Sequence, residues 1–143
     1  MRSTILGILC CLTFAACTIA PDTVVMKDVD VSNWKESVSV EFNNDSEQVR
    51  NLSITLHVNS RFQTEQIALQ VKMYSPDSLY HVEQVHLPCA VEWSQPTASS
   101  IDIELPYRQG VRLKCKGKYL FEITPLTSIA GVEAAGINFQ ANK

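Results

Sequence analysis

The sequence predicts an all-β protein with a single domain, an antiparallel β-sandwich of about eight or nine short strands. Polar and apolar residues alternate in many short segments, and this period of two is typical of strands that bury one face. Turn-forming residues separate these segments at the close spacing typical of a sandwich. After the N-terminal apolar segment, no run is long enough for a transmembrane helix.

The N-terminus predicts a bacterial lipoprotein signal peptide. Arg2 precedes the uncharged segment 5–16, which is too short to span a bilayer comfortably. The sequence Phe-Ala-Ala-Cys over 14–17 resembles a lipobox, in which small residues before the cysteine admit the signal peptidase. We therefore expect a signal peptide at residues 1–16, a lipidated Cys17 in a short tether at 17–23, and a domain at 24–143.

Two alternatives remain open from the residues alone. Ordinary secretory cleavage could occur after Ala20, although Pro21 would then be a poor first mature residue. The segment could also be an uncleaved signal anchor in which the thiol of Cys17 is unmodified.

Alternating patterns predict the strands in chain order. The clearest is Leu52–Val58, with Leu, Ile, Leu and Val at every second position, so we expect Thr55 and His57 to face solvent. The residues from Pro106 through Gly110 are predicted to form a turn, and Lys116-Gly117-Lys118 is predicted to form the tight turn of a hairpin. The predicted strands are 24–31, 37–42, 52–58, 66–74, 79–87, 100–105, 111–115, 119–123 and 136–139.

Two cysteines, Cys89 and Cys115, lie in the exported part of the chain. In an oxidising compartment an even pair is more often bridged than free, so we expect a disulfide between them. The alternative is two buried, unpaired thiols that pack as small apolar side chains.

Composition argues against nucleic acid as a partner. The formal net charge is −3 at pH 7, and we expect no basic cluster, which also argues against an anionic membrane face as the main partner.

No motif in the sequence indicates catalysis, a cofactor or a metal site. His81 and His86 are five residues apart on one predicted strand, so they should point to opposite faces. The carboxylate pairs Asp28/Asp30 and Asp102/Glu104 are expected to be solvent-facing sides of strands. A cysteine nucleophile would need a nearby histidine. We therefore expect a protein that is not an enzyme.

Two further sets of residues are candidate surface sites. Thr23 and Ser78 each stand in an Asp-Ser/Thr-apolar triplet, which resembles an O-glycosylation signal of exported bacterial proteins. The larger aromatic residues could form a stacking platform for a glycan or peptide, or could instead fill and rim the core. These aromatics are Trp34, Tyr74, Tyr80, Trp93 and Tyr107.

The order of these features resembles the gliding-motility lipoprotein GldH family. Shared features are the lipidated cysteine, the Trp34-Lys35 pair before an apolar strand, and the segments 117–123 and 129–137. The middle departs from the family, because its usual Trp-Gly region near 92–100 is missing.

The resemblance implies a non-catalytic accessory protein of the cell envelope, linked to gliding and its secretion machinery. We expect it to be lipid-anchored at the outer membrane. The periplasmic face is favoured because no acidic run follows Cys17. Its partners would be the membrane, through Cys17, and other envelope proteins. The alternative is a surface lipoprotein that binds glycan or peptide through exposed aromatics.

Overall fold

The computed structural model describes residues 23–91, 93 and 100–141. Within these residues the chain forms eight β-strands, and no helix there could cross a membrane. The signal peptide and Cys17 lie outside the described residues. The strands are β1 (Thr23–Asp28), β2 (Val38–Asn44), β3 (Val49–Asn59), β4 (Gln66–Tyr74), β5 (Tyr80–Pro88), β6 (Ser100–Arg112), β7 (Gly117–Pro125) and β8 (Val132–Ala141).

The strands form two four-stranded antiparallel sheets that pack face to face. Sheet 1 has the order β1-β8-β3-β6, and sheet 2 has the order β2-β7-β4-β5. This arrangement confirms the predicted single-domain β-sandwich. The edge strands β1 and β2 lie on one side of the molecule, and β5 and β6 lie on the other.

The core follows from the alternation seen in the sequence. In β3, Leu52, Ile54, Leu56 and Val58 are all buried between the sheets, as predicted. Thr55 was expected to be solvent-facing but is also buried, because β6 and β8 flank β3 on both sides. The largest fully buried side chains are those of Trp34, Phe62, Phe121 and Phe139.

Two predictions about the region after residue 105 are wrong. Pro106–Gly110 is not a turn but part of β6, which continues to Arg112 with register irregularities opposite β3. Proline has no N–H to donate to a neighbouring strand. An edge strand tolerates it because one of its sides has no neighbouring strand. Gly110 has φ +66°, and its N–H donates to the Asn51 side chain over 2.9 Å.

The predicted hairpin around Gly117 is also wrong. β6 belongs to sheet 1 and β7 belongs to sheet 2, so the chain crosses between the sheets there. A hairpin and a crossing between sheets give the same alternation of polar and apolar residues on each side of Gly117, because in both cases each strand buries one face in the shared core.

Candidate functional site

Two adjoining cavities lie along the β5–β6 side of the sandwich, and we call them together the cleft. Their volumes are about 170 Å³ and about 300 Å³, and both are lined by Met73, Val111 and Leu113. The smaller cavity also reaches Leu52 and Phe121 in the core. The cleft therefore has an apolar floor, which is typical of small-ligand and side-chain binding sites.

Three side chains that line the smaller cavity, those of Glu83, Tyr107 and Arg108, join the two sheets, and we call them the clasp. The hydroxyl of Tyr107 donates to Glu83 Oε1, and Arg108 donates from Nε to the same oxygen over 3.2 Å and from Nη2 to Oε2. His81 Nε2 lies 3.8 Å from Glu83 Oε1. The clasp thus joins β5, an edge strand of sheet 2, to β6, an edge strand of sheet 1.

The clasp shifts the ionisation of its members. Burial alone would raise the pKa of Glu83, but the hydrogen bonds from Tyr107 and Arg108 outweigh it and hold that pKa below its usual value. Burial, and then the bond to Glu83, raise the pKa of Tyr107. At neutral pH Glu83 is therefore a carboxylate and Tyr107 a neutral phenol, which is the pairing that the observed hydrogen bond requires.

The two thiols are poorly suited to nucleophilic chemistry. A hydrogen bond with Asp77 is the largest of the effects that raise the pKa of Cys115 at the rim of the larger cavity. Burial raises the pKa of Cys89, whose Sγ donates to the Thr64 carbonyl over 3.3 Å. Both thiols therefore stay protonated near neutral pH, whereas the thiolate is the reactive form.

The predicted disulfide is not formed, because both Cys89 and Cys115 are free. Cys89 follows β5 where Gln66 pairs with Pro88, whereas Cys115 lies at the opposite end of the β4–β5 pair, near Asp77. The strand between these ends spans roughly 25 Å at about 3.3 Å per residue. A disulfide needs Cα atoms within about 7 Å, so the fold excludes the bridge.

The five aromatic side chains do not form one platform, and Trp34, Trp93 and Tyr107 instead fill or border the core, which was the other expectation. Trp34 is buried, Tyr107 belongs to the clasp, and Trp93 packs on the core and donates to the Phe62 carbonyl over 3.3 Å. Of these five aromatics, which the structure describes, Tyr74 and Tyr80 are the pair that lies together near solvent, with ring centroids 4.9 Å apart and planes tilted by 37°.

The two candidate glycosylation residues lie at different places in the fold. Ser78 is exposed in the β4–β5 turn with φ 66°, whereas Thr23 is the half-buried first residue of β1. Their modification stays a prediction.

His57, Asp102 and Glu133 lie together on the outer face of sheet 1, a grouping that was not predicted and that we call the histidine cluster. His57 Nδ1 lies 2.6 Å from Asp102 and its Nε2 lies 3.2 Å from Glu133. The sequence pattern did place Asp102 and His57 on solvent faces, but only the pairing of β3 with both β6 and β8 brings the three together. No group of three or more potential metal-binding side chains is arranged for a metal ion within the described residues.

A comparison of the sequence with known protein families and with characterised proteins finds no match.

Proposed function

We propose that this protein is a lipid-anchored accessory protein of the bacterial cell envelope that docks to other envelope proteins and performs no catalysis. The lipobox-like sequence ending at Cys17 supports the anchor. The resemblance to the gliding-motility lipoprotein GldH family supports a partner in a motility or secretion apparatus, at the periplasmic face of the outer membrane.

The observation that carries the docking role is an apolar surface on an edge strand, which we call the β5 surface. Tyr80 and Val82 are 54% and 37% exposed, and they face solvent on the outer side of sheet 2, with Tyr74 beside them. Exposed apolar groups are costly to hydrate, and an edge strand leaves backbone groups unpaired, so both favour a protein partner. The cleft beside β5 offers room for a partner side chain.

Crosslinking in intact cells tests this surface. We expect a specific envelope protein to be recovered with the lipidated protein and to be lost when Tyr80→Ser and Val82→Ser are combined. The matched control is Val31→Ser with Leu126→Ser, because these residues are also exposed and apolar but lie away from the β5 surface. Equal recovery with both double variants would contradict a docking role for the β5 surface.

The anchor is tested separately by incorporation of labelled palmitate. We expect the wild-type chain to be labelled and the Cys17→Ser variant to be unlabelled. Equal labelling of the two would contradict lipidation at Cys17, whatever the outcome of the crosslinking.

The Tyr74–Tyr80 pair favours a second function, binding of a glycan or peptide at the cell surface. Aromatic faces stack on sugar rings and on apolar peptide side chains. Protease treatment of intact cells distinguishes the two functions, because a periplasmic docking protein is protected and a surface receptor is cleaved. A glycan array that retains wild type but not Tyr80→Ser would favour the receptor.

A further inference from the structure

The registers of sheet 1 place the start of β1 and the end of β6 at the same end of the sandwich. Thr23 pairs with Phe139, which pairs in turn with Leu52. Close to Leu52 on β3, Arg50 pairs with Val111. A tether from Cys17 therefore enters the domain at this end, which we call the tether end. Five residues lie between Cys17 and Thr23, and the six steps between their Cα atoms span at most roughly 20 Å when the chain is fully extended.

The crossing between β6 and β7 places a basic group at the tether end. Arg112, Lys114, Lys116 and Lys118 are all exposed. Among the described residues, Lys118 lies 3.4 Å from Glu41, whereas the other three form no ion pair. The composition led us to expect no basic cluster, and the folded crossing corrects that expectation.

Apolar side chains lie next to this basic group. A Cβ on Gly117 would lie 3.1 Å from the side chain of Pro76, so the crossing packs against the β4–β5 turn. At the end of that turn Leu79 is 64% exposed, and it lines the same cavity as Arg112 and Lys114. Basic and apolar groups together are the composition that favours a membrane interface.

The opposite end has a different charge. Its exposed carboxylates include Asp28, Asp30, Glu36, Glu65 and Asp102, with Lys27, Lys35 and Arg61 as the basic residues of that region. The tether end also has acidic residues, Asp45 and Glu47 in the loop before β3 and Asp77 in the β4–β5 turn. Asp77 is engaged by Ser75 and Cys115. The basic crossing is therefore left exposed at the same end of the sandwich as the start of β1.

We propose that the tether end lies against a phospholipid bilayer, with Arg112, Lys114 and Lys116 on anionic head groups and Leu79 in the interface. This inference rests on the proposed lipid anchor, because the short tether is what holds this end close to the membrane. Basic residues near an anionic bilayer attract it over about a Debye length, roughly 8 Å at physiological salt. The β5 surface then stands beside the bilayer, where a membrane protein can reach it.

The test measures membrane attraction without the acyl chains. The chain from residue 17 with Cys17→Ser, which contains every described strand, is sedimented with vesicles of phosphatidylcholine alone or with roughly one-third phosphatidylglycerol. We expect binding to the anionic vesicles only, with release at high salt. Replacing Arg112, Lys114 and Lys116 by glutamine should weaken binding about a hundredfold, at roughly a factor of five for each basic residue.

The matched control replaces one arginine and two lysines of the opposite end, as Lys27→Gln, Lys35→Gln and Arg61→Gln. This variant has the same net charge, and we expect its binding to change by less than about twofold if only the tether end touches lipid. Equal weakening by both triple variants, equal binding to neutral vesicles, or no binding to either vesicle would overturn the proposal. Because these proteins have no acyl chain, their failure is distinct from a failure of palmitate labelling.

Discussion

The two long sides of the sandwich are closed by different chemistry. On the β1–β2 side, the rings of Phe42 and Phe139 stack with centroids 4.1 Å apart and planes 12° apart, and the Arg50 guanidinium lies 5.0 Å from the centre of the Phe42 ring. On the β5–β6 side, the apolar floor of the cleft is open and the sheets are joined by the clasp of Glu83, Tyr107 and Arg108.

This difference explains where the protein can bind. Close aromatic packing leaves little free volume and is costly to separate, since protein interiors are packed as densely as organic crystals. A hydrogen-bonded clasp holds two edges together without filling the space behind them. The aromatic packing therefore stabilises the β1–β2 side, which we call the packed side, although a cavity of about 270 Å³ lies near Trp34 and Val38 at the other end of that side. The cleft side differs because one of its cavities reaches the core and because the exposed apolar residues Tyr80 and Val82 lie beside it.

The largest expected effect comes from Phe139→Ala on the packed side. The Phe139 side chain is fully buried and contacts both Phe42 and Phe121. Its removal leaves a cavity between the sheets, and we expect a loss of about 3–5 kcal/mol in the free energy of unfolding. Urea denaturation measures this loss. A loss below about 1 kcal/mol would show that the packed side does not dominate stability.

Gly136→Ala should weaken the packed side through its edge strand. A Cβ at this position would lie 1.8 Å from the Val25 carbonyl oxygen and 2.7 Å from Met26 Cα, so the backbone of β1 would have to move. We expect a loss of about 1–3 kcal/mol and faster amide exchange in β1. The control is Gly110→Ala, whose Cβ meets no atom within 4 Å, so only the cost of its φ of +66° applies and exchange in β1 should not change.

On the cleft side, Glu83→Gln should cost about 1–2 kcal/mol, because it removes a carboxylate, 18% exposed, that accepts hydrogen bonds from Tyr107 and Arg108. Urea denaturation at neutral pH measures this loss of unfolding free energy. Tyr107→Phe should show a smaller loss, because it removes only one of the hydrogen bonds to Glu83. If Glu83→Gln were as costly as Phe139→Ala, the contrast between the two sides would be wrong.

The same clasp predicts a dependence of stability on pH. The folded state holds the pKa of Glu83 below its ordinary value of 4.5, so the unfolded chain binds the proton more readily and the clasp contributes fully only above that pH. We expect the stability of wild type to fall as the pH drops below about 4.5, and to fall less steeply in Glu83→Gln. Parallel acid denaturation curves for the two proteins would contradict this prediction.

Alternation in the sequence predicted the sandwich because a strand with one buried face imposes a period of two on its own residues. The bounds of β4 agree with the prediction at both ends, since the segment Gln66–Tyr74 alternates and a Ser-Pro turn follows it. The crossing at Gly117 could not be predicted, because alternation identifies the inward face of a strand but not its sheet.

The clasp could not be predicted from the sequence for a related reason. Glu83 and Tyr107 are separated by 24 positions, and they meet only because β5 and β6 face each other from different sheets. The basic crossing could have been predicted from the sequence, because basic residues stand at every second position from 112 to 118. That period of two was interpreted only as evidence for strands. Both sites depend on which strands lie at the edges.

The smallest effect is expected from the histidine cluster on sheet 1, which tests whether ionic contacts matter only where they join the two sheets. The Asp102 side chain is 68% exposed, and both of its neighbours in the cluster are also open to water. Exposed ion pairs contribute little because water screens them, so we expect His57→Ala and Asp102→Asn each to change the unfolding free energy by less than about 0.5 kcal/mol. Urea denaturation of both variants beside Glu83→Gln measures the contrast. A loss at His57 equal to that at Glu83 would mean that carboxylate contacts stabilise this fold wherever they lie, and that the position of the clasp between the sheets is not what gives it its effect.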